Sequence, residues 1–168
     1  MTDRLARTAR QIAASVLDPE MPILTLDDLG IIREVCVDGT RVVVTITPTY
    51  SGCPAMSTMR DDLEYTLFHA GFTEVTVLTS LAPAWSSDWI SADGRKKLAE
   101  NGYSIPGPVT ERPNGPVALT LTARPRPLTC PQCGSSSTQL CSEFSSTLCK
   151  ALYRCLNCLE SFDHVKEI

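Results

Sequence analysis

Cys130-Pro-Gln-Cys133-Gly134 and Cys155-Leu-Asn-Cys158 are two Cys-x-x-Cys pairs separated by 21 residues, and they decide the architecture of the C-terminal part of the chain. Two residues between cysteines let both sulfurs bind one ion at about 2.3 Å, and two such pairs supply a tetrahedral four-sulfur site. Gly134 can adopt a positive φ, which turns backbone amides toward the sulfurs. The spacing predicts a zinc ribbon with short strands at residues 138–143 and 151–154.

The metal of this ribbon is expected to be structural zinc. Iron in a rubredoxin-like site is the alternative because four thiolates also suit iron, and an iron–sulfur cluster is less favoured. Free or disulfide-bonded cysteines are the competing interpretation. A ribbon of about 40 residues has too little apolar core to fold alone, so the ion should hold it together. Cys141 and Cys149 lie outside the paired spacing and are interpreted as small buried apolar residues. For Cys149 the alternative is a reactive thiol, because the following Lys150 could lower its pKa.

Composition excludes several classes of function. The chain has 168 residues and a net charge of −4, and no basic patch of the kind that nucleic-acid binders show. No run of 18 apolar residues is present to cross a bilayer. The N-terminus lacks the pattern of a secretory signal. We therefore expect a cytoplasmic protein with no nucleic-acid or membrane partner, in which clustered cysteines bind metal more often than they form disulfides.

Upstream of the ribbon, residues 105–127 hold six of the twelve prolines and are predicted to form a stiff, extended linker. Three parts follow from this: an N-terminal domain at residues 1–104, the linker, and the ribbon at residues 128–168.

The N-terminal domain has an α+β pattern. Apolar periodicity predicts helices at residues 4–17, 54–70 and 88–101. Alternation predicts strands at residues 31–37, 42–47 and 74–79, the first two joined by a tight turn at Asp38-Gly39. Three strands cannot bury both faces of a sheet alone, so the helices should cover one face. The expected fold is a small three-stranded sheet covered by helices, followed by an all-β ribbon.

The loop Thr47-Pro-Thr-Tyr-Ser-Gly-Cys53-Pro54 places a cysteine near the predicted start of the second helix. Free amides and the helix dipole there would stabilise a thiolate, so Cys53 is either a reactive or metal-binding thiol or a buried one. Asp18 and Glu20 either ligate a cation or cap the first helix end, and the residues alone favour capping. Cys36, in the middle of a strand, is predicted to be core. No nucleophile elbow, phosphate loop or paired-carboxylate pattern appears, so we expect no enzyme activity.

Three segments of the N-terminal domain carry a family resemblance. Asp18-Pro-Glu-Met-Pro22, Asp28-Leu-Gly-Ile-Ile-Arg33 and the Thr47–Met56 stretch resemble the MIP18-type domain of iron–sulfur cluster assembly proteins. Trp85-Ser-Ser-Asp-Trp-Ile-Ser91 and the ribbon extend the match over nearly the whole chain. Together they resemble the PaaD (or PaaJ) family, encoded with the phenylacetyl-CoA epoxidase of aerobic phenylacetate degradation.

The resemblance implies an accessory role in maturing the flavin and 2Fe–2S reductase of that epoxidase, or a non-catalytic role as a structural adaptor of the complex. It assigns the functional thiol to Cys53 with Asp18 and Glu20, and the ribbon ligands to Cys130, Cys133, Cys155 and Cys158. One loop cysteine cannot hold a cluster by itself. A transient iron–sulfur cluster at Cys53 would therefore need a homodimer, a partner protein or the ribbon cysteines.

Overall fold

The computed structural model describes residues 2–109 and 128–168. It divides into two compact units, one of residues 1–98 with Ile168 and the other of residues 99–167. Residues 110–127, most of the predicted linker, lie outside the described residues, and the boundary at residue 104 stays a prediction. None of the helices in the described ranges is long and apolar enough to cross a membrane.

The first unit begins with helix α1 (Thr2–Ala14) and the hairpin of β1 (Ile32–Asp38) and β2 (Arg41–Ile46). Helix α2 (Met56–His69) and strand β3 (Glu74–Thr79) follow, and then a 3₁₀ turn (Ser87–Trp89) and helix α3 (Ala92–Glu100). The strand order is β1-β2-β3, with β2 antiparallel to β1 and parallel to β3. Gly39 has a φ of +60°, which the tight turn between β1 and β2 requires. The predicted α+β class is confirmed.

The helices cover one face of this sheet, as the sequence predicts. Helix α1 contacts β1 and α2, and α2 contacts β3. Alternate residues of β2, Val42, Val44 and Ile46, are fully buried, and α2 buries Met59, Leu63 and Leu67. Full burial of such a side chain is worth about 1.5–3 kcal/mol, so this layer contributes strongly to the stability of the first unit.

Two predicted helices differ from the observed ones. Helix α1 ends at Ala14 and not at residue 17, because Leu17 pairs with Thr25 in a β-bridge and Val16 accepts a bond from Leu26 N–H (2.8 Å). The predicted helix at residues 88–101 is broken. Ile90 is extended, and Ser91 Oγ then accepts the N–H of Gly94 (2.9 Å), which caps α3.

The second unit contains the ribbon. Strands β4 (Thr138–Ser142), β5 (Lys150–Cys155) and β6 (Ser161–Val165) form an antiparallel sheet in that order. The third strand was not predicted. Its polar sequence carries only Phe162 and Val165 as apolar residues, and both are buried.

Candidate metal centre and the Cys53 site

Four cysteines of the second unit converge on one point. The sulfurs of Cys130, Cys133, Cys155 and Cys158 all lie within 4.8 Å of one another. Cys130 Sγ is 3.8 Å from Cys158 Sγ, and Cys133 Sγ is 3.6 Å from Cys155 Sγ. Four sulfurs at about 2.3 Å from one tetrahedral ion stand about 3.8 Å apart, whereas a disulfide would bring two of them to about 2.05 Å. The arrangement can therefore hold one metal ion.

The backbone around the sulfurs is folded to support negative charge. Cys155 Sγ accepts the N–H groups of Asn157 (3.4 Å) and Cys158 (3.5 Å). Gly134 has a φ of +71°, as predicted, and donates its N–H to the Cys130 carbonyl (2.9 Å). Leu159 after the second pair also has a positive φ, of +66°. Each Cys-x-x-Cys pair thus closes a tight turn.

The pKa values of Cys155 and Cys158 indicate that a cation would stabilise the four-sulfur site. The N–H of Cys158 lowers the pKa of the Cys155 thiol to about 6, despite burial. The N–H of Glu160 favours a Cys158 thiolate, yet burial and the neighbouring sulfurs outweigh it and raise the pKa of Cys158 to about 12. Thiolates this close to one another repel, so a second thiolate beside Cys155 is disfavoured without a positive ion between them. A divalent ion would remove this conflict.

The other cysteines show where burial was predicted well and where it was not. Cys149 is buried, as predicted, but Cys141 is exposed on β4. Cys36 is also exposed, so its assignment to the core is wrong. It pairs with Val43, one residue out of step with the buried Val42 and Val44, and therefore lies on the sheet face opposite the helices.

Cys53 lies in the loop between β2 and α2. Helix α2 begins at Met56 with Ala55 as its N-cap, so Cys53 is two residues before the cap. The residue is 8% exposed. Burial raises the pKa of Cys53; the N–H of Ala55 opposes this, and the carboxylates of Glu20 and Asp18 raise it further. Of the two interpretations that the sequence leaves open, the burial of Cys53 and the raised pKa of its thiol favour the buried thiol in the absence of a metal.

Asp18 and Glu20 are brought to Cys53 by the turn that follows α1. Asp18 is buried, and its Oδ1 accepts the N–H groups of Glu20 (2.8 Å) and Met21 (2.6 Å). Asp18 therefore holds this turn rather than the end of α1. The charges of both carboxylates act on Cys53. The three residues that the family resemblance singles out thus share one electrostatic environment.

A buried hydroxyl beside this loop was not identified from the sequence. Thr47 is 1% exposed, and its Oγ1 has no hydrogen-bond partner among the described residues. It lines a cavity of about 210 Å³ together with Tyr50 and Ser51 of the same loop and Trp85. An orphaned buried hydroxyl costs about 1–3 kcal/mol, which marks the loop as a place where a ligand group could be accommodated. Its position directly after a buried strand was the only signal in the sequence.

His164, to which the sequence assigns no role, is a buried structural residue of the ribbon. Its Nδ1 is 3.1 Å from Ser104 Oγ, and residues 104 and 164 form a β-bridge. Burial lowers the pKa of His164 although Glu167 opposes the shift. The neutral ring therefore joins residues 99–104 to β6.

Comparison with known proteins matches both halves of the chain. Residues 114–166 match the family model of the PaaD zinc beta ribbon domain, and residues 10–77 match that of iron–sulfur cluster assembly proteins. A protein of Escherichia coli (strain K12), provisionally named as one of the subunits of 1,2-phenylacetyl-CoA epoxidase, is 41% identical over 155 residues, which is 92% of this chain and 88% of the relative.

A solved structure matches the N-terminal fold. The crystal structure of a domain of unknown function (DUF59) from Bacillus anthracis superimposes with a TM-score of 0.54 at 24% identity. The match covers 58% of this chain and 93% of that chain. It shows a shared fold.

Proposed function

The chain belongs to the PaaD family of 1,2-phenylacetyl-CoA epoxidase subunits, and on that premise we propose that it is an accessory protein that matures the iron–sulfur reductase of the epoxidase. The observation that carries the proposal is the thiol of Cys53 in the field of Asp18 and Glu20, within the part of the chain that matches iron–sulfur assembly proteins. In this proposal the cluster, or its iron, is cargo and the reductase is the recipient.

The charges around Cys53 suit a thiol that stays protonated until a metal binds. Carboxylates that raise the pKa of a thiol disfavour the bare thiolate, and the same charges attract a cation. An iron centre that arrives at this loop would displace the thiol proton and offset both carboxylates. The thiol therefore stays protonated and unreactive until the cargo is present.

A single thiol also explains why the cluster would be passed on and not kept. Clusters are held by four protein ligands, usually cysteines. Cys53 supplies one, so the remaining ligands must come from a partner, which in this proposal is the reductase. A homodimer that pairs two Cys53 loops is the other arrangement that would supply more than one thiol.

The ribbon has a different role in the proposal. Zinc would be held by Cys130, Cys133, Cys155 and Cys158, as the sulfur separations of 3.6 Å and 3.8 Å fit one tetrahedral ion. A cluster would spread the sulfurs over several iron atoms and hold them further apart. All four positions are taken by protein sulfur, which is typical of a structural site and leaves no open position for catalysis.

The test is the cluster content of the reductase. The reductase would be co-expressed with this protein, without it, with Cys53→Ser and with Cys36→Ser, then purified without oxygen for iron, sulfide and visible-spectrum analysis. We expect occupancy to fall without the protein, to recover with wild type and with the exposed-thiol control Cys36→Ser, and to recover less with Cys53→Ser. Equal occupancy in all four samples would overturn the maturation role and leave the adaptor role.

A further inference from the structure

One edge of the first sheet is open. Strand β3 is last in the order β1-β2-β3. The N–H groups of Glu74 and Ser80 donate to Thr40 O (3.4 Å) and Ile46 O (2.9 Å). The even-numbered residues of β3 therefore direct their backbone N–H and C=O groups toward β2. Because backbone groups alternate along a strand, Val75 and Val77 direct their N–H and C=O groups to the other edge. In the described residues no strand pairs with that edge.

A groove of about 550 Å³ runs beside this edge, between α2 and the start of β3. Its apolar wall is formed by Tyr65 and Phe68, residues that are 64% and 62% exposed. The ring of His69 stacks on Tyr65 with centroids 3.9 Å apart, and His69 Nδ1 is 2.8 Å from the Tyr65 carbonyl. Two large aromatic side chains are thus exposed next to unpaired backbone.

The charge of the groove is acidic. Asp61 and Glu64 line it from α2, and Glu74 lines it from β3. Glu74 is engaged by Arg41, whose Nε donates to Glu74 Oε1 (2.9 Å). Within residues 2–109 and 128–168, neither Asp61 nor Glu64 forms an ion pair with Lys or Arg. These two negative charges lie on the same helix as Tyr65 and Phe68 and line the same groove.

We propose that the free edge of β3 accepts an extended segment of another protein, with apolar side chains toward Tyr65 and Phe68 and a Lys or Arg beside Asp61 and Glu64. Strand addition to a sheet edge draws affinity from backbone hydrogen bonds and specificity from pockets for alternate side chains. A second copy of this chain fits less well, because pairing β3 with β3 would bring together two sets of uncompensated carboxylates.

The probe is the capped peptide Lys-Thr-Val-Thr-Val-Thr-Lys, which places two lysines and two valines on one face of a strand. Binding to the full chain would be measured by backbone amide NMR titration and by hydrogen exchange. We expect shifts confined to β3 and α2, and slowed exchange at Val75 and Val77. Two further peptides carry backbone N-methyl groups, one on its odd-numbered residues and the other on its even-numbered residues. Only one of the two should lose binding, because only one edge of the peptide meets β3.

Variants of the chain separate backbone pairing from the groove. Val75→Pro removes an N–H on the free edge without touching the bonds to β2, and should abolish binding. Phe68→Ala should weaken binding about tenfold, and the double change Asp61→Asn with Glu64→Gln about fivefold, with a smaller salt dependence. Leu78→Ala, on the opposite face of the sheet, is the matched control and should bind as wild type. If Val75→Pro fails to fold, the Phe68 and N-methyl results decide.

Three outcomes would overturn the proposal. One is the absence of shifts in β3 and α2 at millimolar peptide. Another is equal binding of both N-methylated peptides, which would mean that no backbone pairing occurs. The third is a concentration-dependent dimer that excludes the peptide and is lost in Phe68→Ala, which would make a second copy the occupant.

Discussion

The two cysteine regions of this chain differ in what determines their chemistry. In the ribbon, two short Cys-x-x-Cys turns supply four sulfurs within 4.8 Å, and each turn is set by its own local sequence. In the N-terminal unit, one buried thiol is governed by Asp18 and Glu20, which lie more than thirty positions earlier in the chain. Local spacing therefore predicts the ribbon cluster, whereas the behaviour of Cys53 depends on long-range packing.

The two regions also differ in what stabilises them. The buried cluster around the ribbon thiols consists of Cys130, Cys155 and Phe162, with Tyr153 and Cys158 partly buried against it. The N-terminal unit instead buries a layer of Leu, Ile, Val and Met side chains. The ribbon should therefore lose stability when its metal is removed, and the N-terminal unit when a buried apolar side chain is shortened.

The largest expected effect is that of Cys155→Ser, which removes a proposed ligand whose thiol pKa is lowered to about 6. Structural zinc contributes about 10–16 kcal/mol to the folding of comparable peptides, so the ribbon should unfold while residues 1–98 stay folded. Amide hydrogen exchange measured for each unit would show this. Cys141→Ser changes an exposed thiol outside the cluster and should leave both units protected. Slow exchange in the ribbon of Cys155→Ser would contradict a structural metal.

A second, smaller effect is expected in the apolar layer. Leu63 on α2 is fully buried, so Leu63→Ala should destabilise the N-terminal unit by about 2–5 kcal/mol without changing the metal content. Urea unfolding followed by tryptophan fluorescence reports it, since Trp85 is buried in that unit. The control is Leu78→Ala, whose side chain is half exposed and should cost less than about 1 kcal/mol. A parallel loss of metal in Leu63→Ala would mean that the units do not fold separately.

The smallest effect concerns the Cys53 thiol. Alkylation at pH 7 should be slower at the buried Cys53 than at the exposed Cys36, although Glu34 raises the pKa of the Cys36 thiol as well. Because burial and the carboxylates of Glu20 and Asp18 raise the pKa of Cys53, its alkylation rate should keep rising above the pH at which an ordinary cysteine levels off. Glu20→Gln removes one of the charges and should move the rate profile of Cys53 to lower pH while leaving Cys36 unchanged. Mass spectrometry of labelled peptides measures both. A profile unaffected by Glu20→Gln would show that its charge does not reach the thiol.

Much of the fold follows from periodicity in the sequence. Strand β3 is observed at the predicted residues 74–79, and helix α2 lies within two residues of its predicted ends, because alternation and helical periodicity are strong in both segments. The ribbon was placed from cysteine spacing alone. Strand β6 was missed because its burial depends on pairing with β5, which a polar five-residue segment does not reveal.

The errors share a physical cause. The exposure of Cys36 depends on the register of β1 against β2, and the break at Ile90 depends on Ser91 N–H reaching the Asp28 carbonyl (2.8 Å), more than sixty positions away. The raised pKa of Cys53 likewise depends on residues that the fold brings to the loop. Local sequence patterns predict helices, strands and metal sites built from closely spaced cysteines. They do not predict which side chains from distant segments share a site.

The contrast between the two cysteine regions is tested most directly by metal analysis of the protein purified without oxygen. Zinc, iron and sulfide per chain would be measured for wild type, Cys53→Ser and Cys155→Ser. We predict one zinc per chain in wild type and in Cys53→Ser, and little or none in Cys155→Ser. Two results would contradict the division into a structural zinc site in the ribbon and a separate cargo-binding thiol at Cys53. One is iron in place of zinc at the ribbon, and the other is zinc that is lost in Cys53→Ser and kept in Cys155→Ser.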